Sequence, residues 1–395
     1  MAKPPKNLQH VPSQRLLLVM PTSLADVVMA TPTLRAFRQL YPDAKITALV
    51  RRHLRPLLQG CPWVDRIVSA RQKNKHAPTT KRTGPIKLAA RLASAKFDTA
   101  VLLPEGLRAA LLVRMAGIPR RVGYDRSARS SVLTDRLLRR RLKGKLVPVA
   151  TREYYLGLAR YLGAISPDPA MQLFTRESDD AQVATMLATW GVRSERDQAT
   201  GRAMRPLVVL VPGAGSEQQK MWPASRFAEL ADRCATEFGA VVAVSGSPTE
   251  RSILDQVKKH ASKPVIDLTA TGIDLTLLKS VIKQSHLVIT NDTGPRQMAA
   301  AFNVPAVTLF ADDERMWSDT GVHHERHVVP ASSSDSTASR SSKSKAANSH
   351  TALHAISVDD VIAHVADALM QTSAPSAATT DTLGSDANFP HPSQA

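Results

Sequence analysis

The chain has 395 residues, of which 43% are hydrophobic and 22% charged, and its formal net charge is +18. This length exceeds the size at which a single core usually stops growing, so we expect two globular units. Two cysteines, Cys61 and Cys234, are too few for a disulfide framework and too isolated for a metal site, and we predict both to be buried in a protein of a reducing compartment. The apolar run at residues 16–21 is too short for a signal peptide or a membrane span, which predicts a cytoplasmic location.

The positive charge is concentrated in the first part of the chain. Residues 1–150 hold 30 of the 52 Lys and Arg but 7 of the 34 Asp and Glu, a balance of +23, whereas the remainder holds 22 basic and 27 acidic residues. Such a surface attracts nucleic acid, anionic lipid or a phosphorylated substrate, or it serves solubility alone. Because aromatic residues are 4% of the chain and no base-stacking motif is present, nucleic acid is the least favoured partner.

The first half of the chain alternates apolar runs with stretches of helical period. We predict strands at residues 16–20, 45–50 and 99–103 and a helix over residues 26–40. The turn between the first strand and this helix contains one ionisable side chain, Asp26. A carboxylate in the first turn of a helix stays ionised and could accept a proton from a sugar hydroxyl. The alternative is that Asp26 only complements the helix dipole.

The second half repeats the plan. We predict strands at residues 207–211, 240–244 and 287–290 and a helix over residues 223–238 that ends at Gly239. A later amphipathic helix covers residues 356–370, with Ser357 as its cap. Alternating β and α elements in two blocks predict two doubly wound parallel-sheet domains, with the ligand site in the cleft between them.

The composition also suggests boundaries for these domains. We place the first domain at residues 15–172 and the second at residues 173–371. Three further segments are too polar to bury a core and are predicted to be flexible: residues 1–14, a Ser-rich insertion at 331–350 and a tail at 372–395.

Three turns follow strands in the second half and carry polar residues. Small residues at 212–216 would let the backbone approach phosphate oxygens, and Lys220 adds a charge, but the third glycine of a dinucleotide fingerprint is missing. Glu250 follows the next strand and could bond a ribose or simply open a helix. Residues 291–294, Asn-Asp-Thr-Gly, precede Pro295 at a helix start, which predicts an anion cradle; capping of the helix is the alternative.

Five blocks of the sequence carry a resemblance to a known family. They are residues 21–36, 97–111, 116–124, 220–230 and 291–294. Together they resemble glycosyltransferase family 9, the ADP-heptose:lipopolysaccharide heptosyltransferases, and the block at 116–124 is most similar to the heptosyltransferase II branch. The resemblance implies a GT-B fold, with two Rossmann-like domains facing a central cleft. It also implies an acceptor bound by the first domain, a nucleotide sugar bound by the second, and no metal ion or other cofactor.

The resemblance assigns roles to individual residues. Asp26 takes the position of the general base of an inverting mechanism. The positions implied for donor binding are Ser216, Lys220, Glu250, Ile273, Asp292, Thr293, Gly294 and Gln297. The positions that we assign to acceptor binding are Thr22, Ser23, Arg121 and Arg129. The implied partners are an ADP-sugar donor and an anionic glycolipid acceptor, reached at the cytoplasmic face of the inner membrane.

Three positions depart from the family pattern. Ala25 stands where glycine usually precedes the catalytic aspartate, and Gln297 stands where the family has histidine. Residues 311–315, Ala-Asp-Asp-Glu-Arg, replace the usual Gly-Pro-Thr-Asp turn. These departures leave open a different donor sugar. They also leave open a catalytically weak relative that binds an anionic glycolipid, a membrane surface or nucleic acid.

Overall fold

The computed structural model describes residues 13–70, 84–126, 128–139, 141–142, 145–196, 203–215, 221–311, 320–321, 324–330 and 353–371. The segments predicted to be flexible at 331–350 and 372–395 lie outside these ranges, as do residues 1–12.

The first domain is built on a parallel six-stranded sheet in the order β3-β2-β1-β4-β5-β6. Its strands are β1 (Arg15–Val19), β2 (Lys45–Arg51), β3 (Arg66–Ala70), β4 (Thr99–Leu102), β5 (Arg120–Tyr124) and β6 (Asp135–Leu137). The central strand β1 is a continuous apolar run whose leucines at 16–18 are fully buried, because helices cover both faces of the sheet.

Helices and a small hairpin surround this sheet. They are α1 (Leu24–Met29), α2 (Thr31–Leu40), α3 (Pro85–Ala93), α4 (Leu107–Met115), α5 (Thr151–Tyr161), a 3-10 helix (Arg52–Leu58), and the antiparallel strands β7 (Arg141–Leu142) and β8 (Lys145–Leu146). The prediction of one helix over residues 26–40 is wrong, because the helix is interrupted at Ala30 and two helices, α1 and α2, form instead. A continuous helix would need the N–H of residue 32 to donate to the Val28 carbonyl oxygen, and Pro32 has no N–H. The Thr31 Oγ1 donates to that oxygen instead, at 2.7 Å.

The second domain repeats the architecture with a parallel sheet in the order β13-β12-β11-β14-β15-β16. Its strands are β11 (Leu207–Val211), β12 (Val241–Val244), β13 (Val265–Asp267), β14 (Leu287–Asn291), β15 (Ala306–Leu309) and β16 (Glu325–Val328), preceded by an antiparallel pair, β9 (Arg193–Arg196) and β10 (Ala203–Arg205). Its helices are α6 (Glu177–Thr189), α7 (Ala224–Phe238), α8 (Arg251–His260), α9 (Leu275–Lys283), α10 (Gly294–Ala301) and α11 (Val358–Gln371).

Several local predictions for this domain are confirmed. Helix α7 ends at Gly239, whose φ of +62° suits glycine. Ser357 caps α11, because its Oγ accepts the Asp360 N–H at 3.1 Å. Both cysteines are buried and unbridged, and burial raises the pKa of Cys61 to about 11 and that of Cys234 to about 12.

The two sheets confirm the predicted fold class, a GT-B arrangement of two Rossmann-like domains. The boundaries of the domains stay predictions. At the N-terminus, Ser13 and Gln14 are nevertheless held in place, because the Ser13 hydroxyl and the Gln14 N–H both donate to the Asp98 carboxylate. These two residues therefore belong with the first sheet and not with the flexible segment predicted for residues 1–14.

The domains touch each other directly. Helix α1 packs against α10, and the Lys279 ammonium of α9 donates to the carbonyl oxygens of Gln59 at 3.1 Å and Phe174 at 2.5 Å. Arg152 of α5 reaches across to the Thr320 carbonyl oxygen at 2.5 Å. Within the described part of the chain, no helix is long and apolar enough to cross a membrane.

Candidate active site

Asp26 lies at the carboxyl edge of the first sheet, in the first turn of α1. Ser23 begins this helix: its Oγ accepts the Asp26 N–H at 3.1 Å and donates to Asp26 Oδ2 at 2.6 Å. The Asp26 side chain is partly exposed, and Thr22 and Ser23 are exposed beside it. The structure thus brings three predicted residues together in an accessible turn at the positive end of a helix.

Tyr155 of α5 is a further member of this cluster that the sequence reasoning missed. Its ring is 6% exposed and its hydroxyl lies close to the Asp26 carboxylate. Burial raises the pKa of Tyr155, and the negative charges of Asp26 and Glu105 raise it further. A neutral phenol facing a carboxylate donates a hydrogen bond to it and so orients the carboxylate. No local pattern could reveal Tyr155, because α5 reaches Asp26 only through the packing of α5 on α1.

Of the two predicted acceptor arginines, Arg129 lies at the carboxyl edge of the first sheet, where β4 and β5 end, and Arg121 does not. Arg129 is fully buried, and it donates to the carbonyl oxygens of Tyr124 at 2.7 Å and Pro104 at 2.5 Å. Arg121 lies in the first half of β5, where it donates to the carbonyl oxygens of Ile118 and Val132, both at 2.7 Å. In this arrangement both guanidinium groups hold backbone together, so contact with an acceptor requires these bonds to rearrange.

The predicted donor residues follow adjacent strands of the second sheet and share its carboxyl edge. Residues 292–294 join β14 to α10, and the Thr293 hydroxyl is 2.8 Å from that of Thr290. Asn291, buried at the end of β14, donates from Nδ2 to the carbonyl oxygens of Pro212 at 2.8 Å and Gly213 at 3.2 Å. Asn291 therefore ties the turn after β14 to the turn after β11, a role that its place in the motif did not disclose.

Glu250 and Ile273 complete the described part of this edge. Glu250 accepts the N–H groups of Gly215 at 2.8 Å and Ser247 at 2.7 Å, as part of a capping box. The structure therefore shows the helix-opening role of Glu250, and its contact with a ribose stays a prediction. The half-buried Ile273 follows β13, and its N–H donates to the Leu268 carbonyl oxygen at 3.3 Å. Ser216 and Lys220 lie outside the described residues.

A buried arginine is bonded to the turn at residues 291–294. Arg296 of α10 is 0% exposed, and its Nη1 donates to Asp292 Oδ1 at 3.0 Å. Its Nε and Nη2 both donate to the Glu325 carboxylate, and the guanidinium lies 4.9 Å from the ring centre of Phe310. Gln297, the next residue, is also buried, at 1% exposed. The sequence reasoning gave no role to Arg296 or Glu325.

Both oxygens of the buried Glu325 carboxylate accept hydrogen bonds. It accepts the hydroxyls of Thr308 at 2.7 Å and Thr320 at 2.6 Å, besides the guanidinium of Arg296. Burial alone would raise the pKa of Glu325, but hydrogen bonds from His327 and Arg296 and the arginine charge outweigh burial and lower it to about 2. Asp292 is thus tied through Arg296 to a carboxylate that stays ionised in the protein interior.

The acceptor and donor halves meet at one close contact. A Cβ added at Gly294 would lie 2.5 Å from Leu24 Cδ2 and 3.1 Å from Leu24 Cβ. Leu24 is two residues before Asp26, and Gly294 ends the Asp-Thr-Gly turn. The N-termini of α1 and α10 therefore abut, with Asp26 on one side of the domain boundary and the Asp-Thr-Gly turn on the other.

We expect Gly294→Ala to lower the free energy of unfolding by about 1–3 kcal/mol, because the new methyl group overpacks this contact. The measurement is thermal and denaturant unfolding of the purified chain. Leu24→Ala in the same protein should restore most of the loss by making room. Gly106→Ala is the matched control, since a Cβ there meets nothing within 4 Å. Equal stability of Gly294→Ala and Gly106→Ala would show that α1 and α10 are not in this contact in solution.

Comparison with solved structures identifies the class of fold. The crystal structure of a glycosyl transferase family 9 protein from Veillonella parvula DSM 2008 aligns with a TM-score of 0.74 at 19% identity, covering 92% of this chain and 99% of that one. Escherichia coli ADP-heptose heptosyltransferase II aligns with a TM-score of 0.71 at 23% identity, covering 90% and 99%. At these identities the likeness establishes the GT-B fold.

The sequence comparison gives the family. The model of glycosyltransferase family 9 (heptosyltransferase) matches residues 86–350. The chain belongs to glycosyltransferase family 9, as the five sequence blocks predict. It is 27% identical over 309 residues to lipopolysaccharide heptosyltransferase 2 of Escherichia coli K12, covering 75% of this chain and 82% of that protein. It is 25% identical over 304 residues to lipooligosaccharide heptosyltransferase 2 of Haemophilus ducreyi, covering 74% and 81%.

Proposed function

We propose that the protein is an inverting glycosyltransferase that moves a sugar, in the first instance heptose from ADP-heptose, to a lipopolysaccharide core or related glycan. The observation that carries the proposal is the contact between Leu24 and Gly294. This contact supports the proposal because Asp26, a carboxylate suited to general-base work, is two residues from Leu24, and Gly294 belongs to a turn suited to hold a diphosphate.

The proposed reaction has one displacement. The Asp26 carboxylate accepts the proton of the acceptor hydroxyl while that oxygen attacks the anomeric carbon of the donor from the face opposite the leaving group. The bond between the anomeric carbon and the diphosphate oxygen breaks, and the electron pair leaves with the nucleoside diphosphate. The N–H groups at the start of α10 and the positive end of its dipole stabilise the charge that develops on this leaving group.

The remaining residues take supporting roles in this scheme. Ser23 donates a hydrogen bond to Asp26, and the buried Tyr155 phenol beside the carboxylate helps to orient it toward the acceptor. In the donor site, Thr293, Gly294, Ser216 and Lys220 contact the diphosphate, Asp292 contacts the sugar, and Ile273 lies near the nucleotide base. Because backbone donors and Lys220 supply the positive charge, we propose that transfer needs no metal ion.

The choice of donor and acceptor draws on relatives. Escherichia coli heptosyltransferase WaaC was solved with ADP-2-deoxy-2-fluoro heptose and shares this fold at a TM-score of 0.62 and 16% identity. Two of the related sequences are a lipopolysaccharide heptosyltransferase and a lipooligosaccharide heptosyltransferase. The excess of 30 basic over 7 acidic residues in positions 1–150 suits an anionic glycolipid at the cytoplasmic face of a membrane.

The first test is donor binding. We expect isothermal calorimetry with ADP, UDP and GDP sugars to select one nucleotide, and Lys220→Ala to weaken its binding by about 1.5–3 kcal/mol, the value of a charge-assisted hydrogen bond. Lys263→Ala, an exposed lysine of the same domain, is the matched control and should bind normally. Unchanged affinity of Lys220→Ala would place the diphosphate elsewhere.

The competing function is a catalytically weak relative that binds an anionic glycolipid. Gln297 favours it, because glutamine supplies no cation where the family has histidine. The two functions separate in one assay on the wild-type chain, using the nucleotide sugar selected by calorimetry and lipopolysaccharide core glycolipid as the acceptor. Multiple turnovers support the transferase, whereas donor binding without release of nucleoside diphosphate supports the weak relative.

A further inference from the structure

A short basic segment after β6 exposes large apolar side chains. Leu137 is buried in the first sheet, but Leu138 is 79% exposed, Leu142 of β7 is 66% exposed and Leu146 of β8 is 41% exposed. Isolated apolar residues on a surface are ordinary, whereas several in one segment indicate a surface that another molecule covers. We call the described residues of this segment, 138–139, 141–142 and 145–146, the leucine hairpin.

The charge of the same segment indicates the chemistry of the partner. Residues 136–145 contain six Arg and Lys and no Asp or Glu. Arg136 and Arg141 are exposed, whereas Arg139 turns back to the protein, 5.7 Å from the ring centre of Tyr154. Apolar side chains bordered by cations match the boundary of an anionic bilayer, where leucine enters beneath the head groups and arginine binds lipid phosphate.

The pairing of the hairpin favours a lipid over a folded protein surface. Leu142 pairs with Lys145 and Arg141 pairs with Leu146, so the two leucines lie on opposite faces of the strand pair. A protein groove would be met by one apolar face. A fluid bilayer boundary accepts apolar side chains from both faces together with the cations beside them.

The base of the hairpin lies at the edge of the sheet that carries Asp26. Strand β6 runs parallel to the rest of the sheet, so its carboxyl end lies at the same edge as that of β1. Arg139 is 4.0 Å from Glu105, which follows β4, and Glu105 accepts the Tyr154 hydroxyl at 2.5 Å. These contacts fix the start of the hairpin beside α5, the helix whose Tyr155 faces Asp26.

We propose that the leucine hairpin seats the protein on an anionic phospholipid bilayer, with Leu138, Leu142 and Leu146 inserted among the head groups and the adjacent arginines on lipid phosphates. A second part of the proposal rests on the proposed function: the bound hairpin presents the carboxyl edge of the first sheet, where Asp26 lies, to a lipid-linked acceptor in that bilayer. Binding to the bilayer itself does not depend on catalysis.

The test is co-sedimentation of the purified full chain with vesicles of phosphatidylcholine alone and of phosphatidylcholine with phosphatidylglycerol. We expect binding to the mixed vesicles only. Leu138→Ser with Leu142→Ser should weaken it about tenfold, and Arg136→Gln with Arg141→Gln by a similar factor, because each variant removes part of the apolar or ionic contact. Ile165→Ser changes a residue that is 92% exposed and follows α5; it is the matched control and should bind as wild type.

Several outcomes would overturn the proposal. Wild-type binding by both double variants would place the contact elsewhere, for instance in the basic residues of 71–83. Equal binding to neutral and anionic vesicles, or binding to single-stranded RNA with none to vesicles, would also overturn it. ADP affinity, measured by calorimetry on the same proteins, separates the two proposals: vesicle binding without ADP binding leaves the hairpin assignment standing and removes the proposed donor site.

Discussion

Asp26→Asn is expected to lower the rate of sugar transfer by about 10²–10⁴-fold, the usual contribution of general-base assistance. Asparagine keeps the size of the side chain and can still accept the Ser23 hydroxyl, but it cannot take the proton of the acceptor. Donor affinity should change little, because the donor turns lie in the other domain. The measurement is single-turnover transfer and calorimetric donor binding on the same variant.

The comparison is with Asp43→Asn, which removes an exposed carboxylate from a turn of the same domain and should leave transfer intact. If Asp26 served only the helix dipole, its replacement would cost a few tenths of a kcal/mol in stability and nothing in turnover. A fully active Asp26→Asn protein would therefore remove the general-base assignment.

Arg296→Met is expected to lower the free energy of unfolding by about 3–5 kcal/mol, because it leaves the ionised Glu325 buried without its partner. The loss should also weaken donor binding, since Asp292 is held by Arg296 Nη1 at 3.0 Å. Glu325→Gln added to Arg296→Met removes the unpaired charge and should recover part of the stability. Denaturant unfolding and donor calorimetry are the measurements.

Two comparisons make this result specific. Arg233→Met breaks partly exposed pairs with Glu237 and Asp359 and should cost at most about 1 kcal/mol. Since the pKa of Glu325 is lowered from 4.5 to about 2, its contribution to stability is present above about pH 4.5 and is lost as pH falls toward 2. In Arg296→Met the carboxyl should protonate at higher pH, so acid unfolding should begin earlier. A double variant no more stable than Arg296→Met would contradict the ion pair.

The regular part of the fold followed from local sequence. Strand β11 coincides with the predicted range 207–211. A short run of apolar residues is typical of a parallel strand whose two faces are both buried. The break between α1 and α2 was missed, although Pro32 signalled it, since the apolar period continues through Ala30.

The candidate site likewise contains some residues that a local pattern predicts and others that it does not. Asp26 and the 291–294 turn could be found because each occupies a strand end with its own local pattern. Arg296 of α10 and Glu325 of β16 are 29 residues apart and meet only in the folded chain, so no short-range pattern joins them. Arg129 was predicted to bind the acceptor, but its side chain is buried and its Nε and Nη1 donate to the backbone carbonyls of Tyr124 and Pro104.

The tight contact between Leu24 and Gly294 also constrains how the domains can move. If α1 slid along α10, Leu24 would move from Gly294 to neighbouring residues that carry a Cβ and would clash with them, since at this distance only glycine leaves room for Leu24. Separation of the two helices meets no such obstacle. Substrate exchange should therefore proceed by hinge opening and not by shear, with the pivot near Lys279, whose bond to Gln59 also joins the two domains.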